Sequence, residues 1–304
     1  MDFKKDIIIP SWKIIALDSK VKKFYFLPGI LGVIFLTVVL VYQTVYTYIK
    51  IAWKESEAFN LILIFFEKDY FWEVIVIALI LFLLYIFLVP IFEWWLIKYI
   101  HKRDIEWYEK NISTSDVLWV WLFKFMLTLW FDQIINKFKF LSIINAYLFL
   151  LRLVWVDYIY SINWLFWIVF LFSIGINIIF TYSRFEIVLW NKAIYDAMKS
   201  SSKIAILNLK TTSKLYFLIF ILNFRVIFNF LIILIFPFLI SLAIWFFSSQ
   251  IFLYLAVIIL LILFIWILAF ISYLSAVLEV FTTSLWYHAW KSWKIKLKDI
   301  EKSV

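Results

Sequence analysis

From Val226 to Leu278 the chain runs 53 residues without a charged side chain. A soluble domain would have to present that stretch to water as an unbroken surface of Ile, Leu and Phe. Divided near Ser248-Ser249-Gln250, it yields two segments, each long enough to cross a hydrocarbon core about 30 Å thick, which takes roughly 20 helical residues. The reading is therefore an integral membrane protein, all-α, because backbone amides without water partners must be satisfied inside helices.

Composition agrees. Hydrophobic residues are 66% of 304 positions, well above the ~45–50% of soluble domains, and the mean hydropathy is +1.00. This length suits five to seven helices and leaves no space for a separate soluble catalytic domain. The absence of cysteine excludes disulfides, thiolate chemistry and Cys-based zinc sites. The two histidines, His101 and His288, lie near lysines at segment ends and read as ordinary interface residues. The net charge of +9 points to orientation and to anionic lipid, not to nucleic acid. No cofactor is implied. The partners expected are the bilayer, its anionic headgroups through cytoplasmic lysines, and other membrane proteins.

Six spans account for the pattern: 24–47, 70–95, 117–151, 158–183, 215–247 and 251–279. The run from Phe24 to Thr47 is too long for the apolar part of a cleaved signal peptide, and no small-residue cleavage pattern follows. The N-terminal tail, the connections 98–115 and 184–214 and the C-terminal tail together hold 21 Lys and Arg. The remaining connections hold three: Lys50, Lys54 and Lys68. Both termini are thus expected in the cytoplasm of a bacterial plasma membrane. The chain divides into a cytoplasmic amphipathic segment (1–23), a membrane domain (24–290) and a basic cytoplasmic tail (291–304).

The third span is irregular. Asp132, Gln133, Asn136, Lys137 and Lys139 interrupt it, and charges at the bilayer centre cost about 2.5–3.5 kcal/mol each on insertion scales. Either a polar helix face lines the bundle interior, or two short helices dip in with a charged elbow in water; the bent or re-entrant form is the expectation. Two connections read as amphipathic. Ser11–Phe24 places Ile14, Leu17, Val21 and Phe24 on one stripe; Asn191–Lys210 does so with Ile194, Met198 and Ile204-Ala205. Each lies on the cytoplasmic leaflet or packs on the bundle.

Glu93, Glu186 and Glu279 are spaced 93 residues apart, each near the cytoplasmic end of an even-numbered span. The spacing suggests three repeated hairpins, 24–97, 117–190 and 215–287. A carboxylate at a helix C-terminus opposes the macrodipole and calls for a cation. Arg184 and Arg225 are placed to supply one, so Glu93, Arg184, Glu186, Arg225 and Glu279 form the candidate buried polar cluster. It is either a structural ion-pair network or a proton or substrate site.

The chain holds 18 Trp and 3 Gly, the reverse of membrane-helix habit. Abundant Ile, Lys, Phe and Asn indicate an AT-rich gene, which should deplete both residues. One assumption restores both: many of the Trp positions are UGA codons that the source organism reads as glycine. UGG codons there would exclude it. A phosphate loop at Ala289-Trp290-Lys291-Ser292 fails even so, since Trp286 is one residue too close and no strand precedes it.

With glycine read for tryptophan, Phe92-Glu93-Trp94-Trp95-Leu96-Ile97 resembles a Glu-Gly-small-Leu-Ile turn. It belongs to the six-span membrane domain of some glycerophosphoryl diester phosphodiesterases and of related uncharacterised bacterial proteins. Tyr182–Ser202 is similar to that group's aromatic span end, short turn and cytoplasmic helix. The resemblance implies a six-helix membrane domain and carries no enzymatic activity, because the catalytic phosphodiesterase domain is missing. The expectation is a non-enzymatic membrane scaffold or assembly partner. The alternative is a small transporter using the Glu/Arg cluster and the broken third span. An intramembrane enzyme ranks last, for want of a carboxylate pair or a nucleophile motif.

Overall fold

The computed structural model describes residues 2–34, 37, 60, 64, 67–68, 70–105, 159–222, 235, 239, 242 and 250–303. Among them helix predominates and there is no strand. The third span with its polar break at Asp132, Gln133, Asn136, Lys137 and Lys139 lies outside the described residues, as do Arg225 and parts of the first and fifth spans. A π-helical turn, Lys4–Ile8, leads into α1 (Ile9–Leu17), followed by α2 (Ser19–Phe24). Then come α3 (Phe71–Ile105), α4 (Ile159–Phe180), α5 (Ser183–Trp190), α6 (Ile194–Leu207), α7 (Leu209–Leu222) and α8 (Gln250–Ser303).

Three stretches are long and apolar enough to cross a membrane: Phe71–Asp104, Asn163–Trp190 and Tyr254–Leu297. A fourth exists if α6 and α7, bent by 95°, act as one broken span. Their outward faces are aliphatic and aromatic, with Ile77, Ile168, Phe172, Ile259 and Trp266 all exposed. A water-facing helix would carry its polar side there; a lipid-facing one has no such need. Helices α3 and α8 run past the ends read for their hairpins, 97 and 287, whereas α5 ends at Trp190. Pro90 forfeits one hydrogen bond inside α3, yet the helix continues past 97 to Ile105. Helix α8 spans 54 residues, more than twice what a bilayer needs, so residues 291–303 of the expected tail are helical and continuous with it.

The chain forms two compact units. One comprises Asp18–Val89 and Ile219–Val280. In it Asp18 caps α2, its carboxylate accepting the Lys20 amide at 3.1 Å. Here too the helical stretch 26–34 approaches α8 through Gly29. A Cβ built on Gly29 would lie 2.8 Å from the Ser272 carbonyl oxygen and 3.2 Å from the Ala276 Cβ. Only glycine permits that approach.

The other unit comprises Met1–Leu17, Pro90–Leu218 and Phe281–Val304. At its centre are Glu93–Ile97 of α3 and Thr283–Trp290 of α8, buried on every side. The N-terminal turn packs here through Ile7 and helix α1 through Ser11, Ile14 and Ile15, with Trp12 edge-on to Phe281. The expected stripe is corrected at Leu17, which is 66% exposed. The small polar Ser11 takes the inward place instead, and the α1–α2 break at Asp18 resets the register. Helix α6 packs on α4 and α5. Its buried residues are Ala197, Ser201, Ile204 and Ala205, a narrower stripe than the one through Ile194 and Met198. Ser201 stitches the α4–α5 turn: its hydroxyl accepts the Tyr182 amide at 3.0 Å and donates to the Ile179 carbonyl at 2.8 Å.

Candidate functional site

The second-described unit carries three carboxylates, Glu93 and Glu186 buried and Asp104 half-buried, each met by cations or donors from another element. Glu93, on α3, accepts from Arg184 Nη1 of α5 at 2.7 Å, and both side chains are largely buried. Glu186 lies two residues beyond Arg184. Positions i and i+2 of a helix do not share a face, so α5 turns Arg184 toward α3 and Glu186 toward α8. There Trp290 Nε1 donates to Glu186 Oε1 at 2.9 Å and Lys294 Nζ at 2.5 Å, while Lys192 Nζ stands 2.8 Å from Oε2. The carboxylate itself is fully buried.

The third carboxylate was not foreseen. Asp104 Oδ2 accepts from Tyr287 OH at 2.9 Å and from Lys291, and Oδ1 faces His288 Nε2 at 3.8 Å. Since the Tyr287 hydroxyl proton is given to Asp104, the phenol accepts from His101 Nδ1, 2.9 Å away. His101 is thereby the Nδ1–H tautomer when neutral.

His288 closes the network toward the N-terminus. Its Nδ1 lies 2.8 Å from the Ser284 carbonyl, which can only accept, so Nδ1 carries a hydrogen. Ser11 Oγ is 3.2 Å from the same nitrogen and sends its own proton to the Ile7 carbonyl at 2.7 Å. Ser11, His288 and Asp104 therefore line up like a nucleophile, base and acid but cannot act so. The imidazole nitrogen facing the hydroxyl already bears hydrogen, and Ser11 is fully buried. Among the described residues no group of three or more His, Asp or Glu could hold a metal ion.

The aromatic rings fill the space around these pairs. Phe185 stacks on Trp290 at 5.9 Å, Tyr182 and Tyr216 each meet Trp286 edge-on, and Tyr182 OH pairs with Thr212 Oγ1 at 3.0 Å. Trp95 stacks on Tyr99, and the Lys98 ammonium sits over the Trp94 ring at 4.5 Å. With tryptophan at 290, Glu186 gains a neutral donor that glycine could not supply. The left-handed position ending α5 is filled by Asn191, φ 53°, next to Trp190.

Of the expected five-residue cluster, three members lie in this unit: Glu93, Arg184 and Glu186. Glu93 and Arg184 meet as a pair. Glu186 is held by Lys192 and Lys294, where arginine was expected. Glu279 lies on α8 in the other unit, half-buried, and Arg225 lies outside the described residues. The C-terminal position assumed for the glutamates is also corrected. Glu93 and Glu279 are mid-helix because α3 and α8 run on, and Glu186 is in the first turn of α5, where the helix dipole favours it. Asp104, Tyr287, His288, Lys291 and Lys294 were missed. Their signal was the run Tyr287, Lys291, Lys294, which marks one face once the helix is known to continue.

Comparison of the chain with protein-family models, with curated proteins and with solved structures finds no match.

Proposed function

We propose that this is a multi-pass protein of a bacterial plasma membrane, with six spans and both termini cytoplasmic. It acts there as a non-enzymatic scaffold or assembly partner. The observation that carries the reading is the neutralisation of Glu93, Glu186 and Asp104 by partners on other elements. Such pairs tie α3, α5 and α8 together. A transport or proton site instead needs a carboxylate able to exchange its partner for a substrate. The exposed apolar flanks of α3, α4 and α8 supply surface for lipid and for neighbouring membrane helices.

The Glu93–Arg184 pair tests the reading. Arg184→Met removes the guanidinium paired with the buried Glu93 carboxylate, which should lower stability by about 2–3 kcal/mol, at or below the usual cost of breaking a buried pair because Arg184 keeps some solvent contact. The double variant Glu93→Leu/Arg184→Met should recover most of it, since apolar replacement of a whole buried pair is often neutral. The measurement is the unfolding midpoint in detergent, with cross-linking to neighbouring proteins in native membranes. A double variant that is stable and still cross-links its neighbours supports the scaffold. One that is stable yet abolishes a solute flux in reconstituted vesicles would move the assignment to transport.

A further inference from the structure

The bend between α6 and α7 presents a surface that the ion-pair network does not use. The two helices turn by 95° at Asn208. Asn208 points inward and is nearly buried: its Nδ2 donates to the Ile204 carbonyl at 3.0 Å, and its carbonyl accepts the Thr211 and Thr212 amides, each at 3.0 Å. With the polar corner residue satisfied inside, its neighbours are turned out. Ile206, Leu207 and Leu209 are 66%, 63% and 55% exposed. Three branched aliphatic side chains at one corner form an apolar patch that water disfavours.

Lysines flank the patch on both sides. Lys199 and Lys203 lie one turn apart on α6, Lys210 and Lys214 one turn apart on α7, and all four are exposed. Asp196 is the single carboxylate between Ile194 and Leu222. One turn beyond Lys214 the exposed face becomes apolar at Phe217. The elbow is also continuous with a helix pair apolar enough to count as a broken span. An aliphatic corner rimmed by lysines, leading within one turn to an apolar face, matches the layering of an anionic bilayer surface.

We infer that the α6–α7 elbow is an interfacial anchor for anionic lipid. Ile206, Leu207 and Leu209 enter the boundary between headgroups and acyl chains. Lys199, Lys203, Lys210 and Lys214 rest on headgroup phosphates. The lipid-facing residues are those at the bend, whereas Ile204 and Ala205, expected on the membrane stripe, pack against the protein.

The cysteine-free chain allows a direct test. Leu207→Cys is labelled with an environment-sensitive fluorophore and reconstituted in vesicles of phosphatidylcholine, with or without phosphatidylglycerol. Quenching is read with lipid-borne nitroxide and with aqueous iodide. The expected result is nitroxide quenching and a blue-shifted emission in the phosphatidylglycerol vesicles. Both should weaken in pure phosphatidylcholine and in the fourfold Lys→Gln variant at 199, 203, 210 and 214. Iodide quenching of equal size in both lipids overturns the anchor. So does shielding from both quenchers, which would place a protein on the elbow. The comparison of lipids uses native lysines, so it decides the matter even if the fourfold variant misfolds. The scaffold assignment has a separate readout and survives either outcome.

Discussion

Glu186→Ala is expected to lower the stability of the detergent-solubilised protein by about 4 kcal/mol, within the range for breaking a buried ion pair. One truncation strands three donors. Trp290 Nε1 loses its acceptor inside a packed ring cluster, and Lys294 and Lys192 lose a shared counter-charge. Lys192 is about a third exposed and can turn to water; Lys294 is more enclosed, under the Trp190 ring. The damage should therefore concentrate on the α5–α8 contact. Glu186→Gln keeps an acceptor for Trp290 and loses only charge, so its effect should be smaller. Lys192→Met should be the mildest of the three. Unfolding midpoints that rank otherwise would mean that Glu186 is not the point at which α8 is held.

The second large effect is expected at Gly29. Gly29→Leu should lower stability by about 3 kcal/mol or more, at the upper end of overpacking penalties. The first atom its Cβ would meet is the Ser272 carbonyl oxygen, part of the α8 backbone, which cannot swing aside as a side chain can. Gly29→Ala should already be destabilising, by about 1–2 kcal/mol. Gly32 is the internal control. Among the described residues a Cβ there meets nothing within 4 Å, so Gly32→Ala should be neutral or gain up to about 1 kcal/mol from helix propensity. Thermal unfolding of the pair, side by side, separates close approach from a general intolerance of substitution in this helix.

Apolar runs were legible because hydrocarbon selects on one property that composition records directly. Long helices were therefore expected near 70–95, 158–183 and 251–279, and helices lie there. The ends were not legible. Lys291 and Lys294 look like a solvated tail in sequence, but α8 continues and turns them onto Asp104 and Glu186. Pairing depends on helix phase, which a charge count does not contain. The N-terminal register failed for a related reason. Ser11 and Asp18 take inward positions that a stripe of apolar residues cannot reveal, and Leu17 is turned out as a result. On α6 the small Ala197 and Ser201 are buried, whereas Ile194 and Met198 of the expected stripe are half-buried. The Glu93–Arg184 pair could be read because few arginines exist and both groups fall at similar depth. The histidines could not, since His288 acquires its role from Ser11 and Asp104, each far away in sequence.

Membrane burial of the outward apolar faces is the claim on which the rest stands. Ile77, Ile168 and Ile259 are each more than half exposed on the folded chain, as is Tyr195 on α6. Single cysteines at these four positions, in a chain that has none, can be challenged with a charged maleimide in right-side-out and in inverted membranes. The account predicts modification at 195 in one orientation, and none at 77, 168 or 259 in either until SDS dissolves the bilayer. Labelling of those three in intact membranes as fast as at 195 would place water where the account requires lipid, and would contradict it.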